Sequence, residues 1–150
     1  DPEGAVLYGD RRLVNHEDAI LYNIVSGTAS ARNDTHLGGR IHPGCCLVPA
    51  VMAEAQIHHI SGKRAIEAVL FGTEVMIRFG AALRKGTSYP LSDAIRFTSL
   101  PVPIGAAFAM AKLFSDDAAT MANAAALALC HINSVGNQWR FEGTGEDAYP

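Results

Sequence analysis

From Lys63 to about Leu83, residues Ala65, Ile66, Val69, Leu70, Thr73, Val75, Met76 and Phe79 keep a spacing of roughly three to four. That is the period of an α-helix with one buried stripe. A helix of about 20 residues is roughly 30 Å long, about the width of a small domain. Such a helix cannot cover its own stripe, so the rest of the chain has to supply partners. Asn15 is an N-cap residue followed by Glu17 and Asp18. It opens a helix-compatible run through Ala19, Ile20, Tyr22, Asn23 and Ile24 into the small residues Ser26, Gly27, Ala29, Ser30 and Ala31. Cys45 to Ile60 reads as an apolar helix with Pro49 in its first turn and Ser61-Gly62 as its stop. Pro101 and Pro103 suit the start of a small-residue helix, Ile104 to Phe114. Ser115-Asp116-Asp117 caps a further helix, Ala118 to about His131. Ahead of all these, Ala5-Val6-Leu7-Tyr8 and Gly9-Asp10 predict an extended edge segment and a turn. The expected fold class is all-α, a helical bundle-like domain of about five helices. Two polar loops, 32–44 and 84–100, interrupt it, and the tail from Asn133 is irregular.

Composition narrows the classes of function. The 150 residues suit one domain, and 49% hydrophobic against 18% charged residues is enough for a core. The net charge is −3 and no basic run occurs, so no nucleic-acid partner is expected. No apolar run reaches the ~18 residues of a membrane span, so no membrane partner is expected either. Three cysteines, two of them the adjacent Cys45 and Cys46, argue against a disulfide framework. A reducing cytoplasm, or an organelle matrix, is the expected location. Both ends of the chain read as cut from something longer.

Loop 32–44 carries the densest chemistry. Its thirteen residues hold one carboxylate, two histidines and two arginines, together with Gly38-Gly39 and Pro43-Gly44. A histidine can take or give a proton near neutral pH, and Asp34 can orient it or share the proton work. Thr35 can hydrogen-bond a substrate carboxylate, and Arg40 can clamp one with two parallel bonds. Arg96 and Thr98 lie just before the proline-initiated helix, where a helix N-terminus with a nearby arginine suits an anionic group. The same residues also fit a plainer reading: Asp34 and Thr35 in a turn or N-cap, His36 and His42 as surface polar residues, Arg40 and Arg96 solvated. Asp34, His36 and His42 could supply three metal ligands, but their spacing matches no standard pattern and there is no CxxC, so no metal is expected. Cys45 and Cys46 sit in an apolar run and read as small buried hydrophobes rather than nucleophiles.

Taken in order, these segments resemble the MmgE/PrpD family. The resemblance starts at Gly4-Ala5-Val6-Leu7-Tyr8-Gly9, Asp18-Ala19 and Asn23. It is strongest from Asn33-Asp34-Thr35-His36 through Gly38-Gly39 to His42-Pro43-Gly44, with Pro49-Ala50 after it. It continues through Glu54, Ser61-Gly62, Ala68 and Gly72-Thr73-Glu74-Val75, is clear again over Gly105 to Leu113, and runs out through Gly136, Gln138 and Glu142-Gly143-Thr144. Chain departures from the family pattern fall at Thr28 and Ala31, where members commonly have a His and an Asp. They fall also at Arg96, in place of a histidine, and at Glu146-Asp147, where the decarboxylase kind has a lysine.

The resemblance implies that residues 1–150 are part of a helical domain, without the family's smaller α/β domain. It implies a lyase or isomerase-type enzyme that moves a proton next to a carboxylate of a small di- or tricarboxylic acid, in the manner of 2-methylcitrate dehydratase, cis-aconitate decarboxylase or iminodisuccinate epimerase. The motif assigns site roles to Asp34, Thr35 and His42. On that reading His42 is general acid or base with Asp34 its partner, and Thr35 and Arg40 contact substrate. Arg96 and Thr98 form a second anion contact. No cofactor is implied. Homodimers are usual in the family, so a homodimer or association with a further family subunit is expected, in the cytoplasm or, in a eukaryote, the mitochondrial matrix. The alternative is a catalytically inactive helical subunit or interaction domain derived from the family.

Overall fold

The computed structural model describes residues 4–29, 32–39, 41–85 and 100–131, at 84 and 85 for the backbone only. Of the expected second loop, residues 84 and 85 are helical instead and 86–99 lie outside them, as do the tail from Asn133 and Arg40, Arg96 and Thr98. The described elements are β1 (Ala5–Val6), β2 (Leu13–Val14), α1 (His16–Thr28), α2 (Pro43–Ile57), α3 (Gly62–Lys85), α4 (Pro101–Phe114) and α5 (Ala118–Cys130). The fold is mostly α, as the spacing predicts, with one small addition: the edge segment has a partner. β1 and β2 pair antiparallel, Ala5 opposite Val14 and Val6 opposite Leu13. Gly9 turns the chain between them at φ +78°. Gly4 is required beside this pair, because a Cβ there would lie 2.2 Å from the Val14 carbonyl oxygen.

Polar side chains fix the hairpin to the helices. Asn23 is buried in α1; its Oδ1 accepts from Tyr8 N at 2.7 Å and its Nδ2 donates to Val6 O at 2.9 Å. Gln56 on α2 accepts from Val6 N at 2.9 Å. These part-buried bonds pair backbone groups that the short hairpin leaves open. Beneath them Ala5, Leu7, Ala19 and Ala53 form a small apolar cluster.

The cap residues act where the sequence places them. Asn15 Oδ1 accepts from Asp18 N at 2.9 Å, and Asp117 Oδ2 accepts from Thr120 N at 2.8 Å. Helix α2 corrects the sequence reading at both ends. It starts at Pro43, so Pro43 takes the first turn and Pro49 lies buried in the interior, where its missing N–H removes one rung of the ladder. It ends at Ile57, and Ser61-Gly62 opens α3 instead of stopping α2; Ser61 Oγ accepts from Arg64 N at 3.3 Å. The stop itself is His59, at φ +50°. His59 N donates to Gln56 O at 3.3 Å and Ile60 N to Ala55 O at 2.9 Å, the two bonds of a Schellman ending, with histidine in the position glycine usually takes.

The main core runs between α2, α3 and α4: Leu47, Val51 and Ala55 on α2, Ala65, Ala68 and Met76 on α3, Ala109 and Leu113 on α4, and Ile41 from the loop before α2. Helices α3 and α4 have the most extensive contact. A Cβ on Gly72 would sit 2.7 Å from both Gly105 O and Ala109 Cβ, and one on Gly105 would sit 2.9 Å from Gly72 O. The two backbones therefore meet glycine to glycine. At the far end of the seam Arg64 donates from Nη1 to both carboxylate oxygens of Asp116, at 2.9 and 3.0 Å, and Lys112 pairs with the same carboxylate.

Candidate active site

The segment before α2 is a short hairpin. His36 N donates to Ile41 O at 3.0 Å and Ile41 N to His36 O at 3.4 Å, forming an antiparallel bridge. Ile41 is fully buried and anchors the hairpin in the core. The turn is tied by Gly39 N, which donates to His36 Nδ1 at 2.9 Å. Gly39 is itself buried, and its carbonyl oxygen lies against Gly80 of α3, where an added Cβ would stand 3.1 Å away. A glycine on the long helix thus gives the hairpin its seat.

Within this frame the Asp34 carboxylate reaches the start of α2. Gly44 N donates to both its oxygens, at 3.1 and 3.0 Å. One of the unpaired N–H groups at the helix end is satisfied by a residue ten positions upstream, with the negative charge at the positive end of the helix dipole. A Cβ on Gly44 would fall 2.9 Å from Asp34 Oδ1, so a larger residue there would displace the carboxylate. The bond explains why α2 begins earlier than expected. His42 Nδ1 lies 2.8 Å from the Asp34 backbone oxygen and 3.2 Å from Thr35 Oγ1. Asp34, Thr35 and His42 are therefore brought together, but the Asp34 carboxylate is engaged on Gly44, and its contact with His42 is through the main chain. Asp34 and Thr35 are exposed and His42 is half-buried. The other proposed substrate contacts, Arg40, Arg96 and Thr98, lie outside the described residues.

Neither cysteine next to the site is in a disulfide. Cys45 Sγ donates to His42 O at 3.0 Å and lies within hydrogen-bond distance of Cys46 Sγ, at 3.7 Å. Burial above all, then the neighbouring Cys45 and the Asp34 charge, pushes the Cys46 thiol up to about 12. A protonated thiol is neither nucleophile nor ligand. Among the described residues no group of three or more His, Cys, Asp and Glu is placed to hold a metal ion. No helix among them is long and apolar enough to cross a membrane.

Sequence reasoning missed one cluster of ionisable groups. Glu54, only 14% exposed, lies 2.6 Å from His16 Nδ1 and 3.4 Å from His58 Nε2, and the His58 ring meets Phe114 edge-on at 5.1 Å. The i, i+4 spacing of Glu54 and His58 was the available signal; His16 comes from a different helix and carries none. This cluster joins the start of α1 to the end of α2, at the opposite end of α2 from His42.

The family model of the MmgE/PrpD N-terminal domain matches residues 1–146. The chain belongs to the MmgE/PrpD family. No curated protein and no solved structure matches it. The Asp34–His42 hairpin is therefore the polar hairpin of an MmgE/PrpD N-terminal domain, a family associated with dehydratase and lyase chemistry.

Proposed function

We propose that this MmgE/PrpD chain belongs to a lyase or isomerase-type enzyme that moves a proton next to a carboxylate of a small di- or tricarboxylic acid, as a 2-methylcitrate dehydratase does. One observation carries the reading: the His42 imidazole is gripped at one nitrogen by Asp34 O and Thr35 Oγ1, so its orientation is set before substrate arrives. A fixed, half-exposed imidazole is suited to general acid or base work. The proton leaves the carbon beside the carboxylate for the imidazole. The electron pair of the broken C–H bond delocalises into the carboxylate or expels a leaving group on the next carbon. Asp34 is the partner of His42, Thr35 and Arg40 contact substrate, and Arg96 and Thr98 form a second anion contact. The reaction needs no cofactor. A homodimer, or a complex with a further family subunit, in the cytoplasm or a mitochondrial matrix fits this role.

The test is turnover of methylcitrate, cis-aconitate and iminodisuccinate by the full-length protein and its His42→Gln variant. A loss of about 10²-fold or more supports the role; equal rates would sink it.

A second reading, a helical subunit without turnover, is favoured by the engagement of the Asp34 carboxylate and by the apolar residues Leu21 and Val25 on α1 and Ile66 and Leu70 on α3, all exposed. Calorimetry with a panel of carboxylic acids separates the two. Absence of heat at millimolar ligand favours the subunit.

A further inference from the structure

His36 and His42 sit in one hairpin, yet their surroundings demand opposite tautomers. A backbone N–H can only donate, so the His36 Nδ1 that faces Gly39 N at 2.9 Å carries a lone pair, and the ring proton is on Nε2. A carbonyl oxygen can only accept, so the His42 Nδ1 that faces Asp34 O at 2.8 Å carries the proton, and Nε2 of the neutral ring is bare. Thr35 agrees with this. Its hydroxyl oxygen lies 3.2 Å from the same Nδ1 as a second acceptor, which leaves its own hydrogen for Asn33 O, at 3.4 Å, or for an incoming carboxylate. The two rings also lie on different faces of the hairpin. His36 is paired with Ile41 and shares its face, while His42, the next residue along, alternates to the other.

We propose that Asp34 is a positioning residue: its carboxylate, held by Gly44 N, fixes its own carbonyl on His42 Nδ1 and so makes His42 Nε2 the proton-accepting atom, while His36 is a latch for the turn. The catalytic part of this rests on the function proposed above; the tautomers do not. When Nε2 takes a proton, the Nδ1–H bond to Asp34 O is kept and becomes charge-assisted, so nothing in the hairpin has to rearrange. The Asp34 carboxylate carries no proton at any step.

The test uses the full-length protein with ¹⁵N-labelled histidine, at a pH where the imidazoles are neutral. His42 Nδ1 resonates as a protonated nitrogen and its Nε2 as a bare one, and His36 has the reverse pattern. His42 with its proton on Nε2 would overturn the proposal. In Asp34→Ala the His42 pattern moves toward a mixture and turnover falls roughly 10²-fold, as for a displaced catalytic group. Asp34→Asn, whose amide oxygen can still accept from Gly44 N, restores the His42 pattern and most of the turnover. Equal losses in the Asn and Ala variants would mean that the carboxylate carries a proton, against the positioning role. Because the wild-type spectrum is read without substrate, it holds even if Asp34→Ala does not fold. An enzyme inactive on every acid that still has the opposite tautomers would refute the function and leave the fixed tautomers standing.

Discussion

The α3–α4 seam and the Asp34–His42 hairpin both depend on glycine, for opposite ends. In the seam Gly72 and Gly105 remove side chains so that two helices close on each other around Met76 and Ala109. In the hairpin Gly44 and Gly39 remove side chains so that polar groups can reach backbone: a carboxylate meets Gly44 N, and a histidine meets Gly39 N. Gly80 joins the two regions, because α3 carries the seam on one part of its surface and seats the Gly39 carbonyl on another. The seam thus closes two helices on each other, and the hairpin rests on one of them to hold one imidazole.

Gly72→Ala breaks the comparison most strongly. The added methyl meets backbone and Ala109 at 2.7 Å. Because backbone cannot give way as a side chain can, the cost lies toward the upper end of the about 1–3 kcal/mol of overpacking, more than the roughly 1 kcal/mol that alanine gains over glycine inside a helix. Urea denaturation should give a lower midpoint while the His42 resonances keep their pattern. A loss at His42 as large as the loss of stability would mean that seam and hairpin are not separable.

Asp34→Ala does the reverse. Loss of a helix N-cap interaction costs about 1 kcal/mol, so the midpoint moves less than in Gly72→Ala, whereas the His42 environment changes. The smallest effect is in acid, at the far end of the seam. Asp116 is held below the ordinary carboxylate value of 3.8 by its hydrogen bonds to Lys112 and Arg64, and Asp117 by the Thr120 side chain and backbone. A carboxylate depressed in the folded state stabilises it above the unfolded value, and that contribution fades as pH falls from there through the folded value. Melting temperature should therefore decline less steeply below about pH 4 in the Asp116→Asn, Asp117→Asn double variant than in the wild type.

Much of the fold was legible because its signals are local. The three-to-four spacing along α3 and the caps at Asn15 and Asp117 are written within a turn or two of where they act. The ends of α2 were not legible for the same reason inverted. Its N-terminal cap comes from Asp34, on the far side of a turn, and its stop uses His59 in a conformation normally left to glycine. The site divides in the same way. Residue types and motif single out Asp34, Thr35 and His42, and the fold brings them together. The atom of Asp34 that meets His42 is a backbone oxygen, which every residue has, so no reading of side chains could choose it over the carboxylate.

Proton abstraction beside a carboxylate leaves a direct trace. On the proposed function, the full-length protein, incubated with each candidate acid in heavy water and followed by ¹H NMR, should replace the hydrogen on the carbon next to the carboxylate with deuterium for the acid it accepts. His42→Gln, with an unchanged melting temperature, should lose that exchange. Exchange at the wild-type rate in the His42→Gln protein would contradict the account.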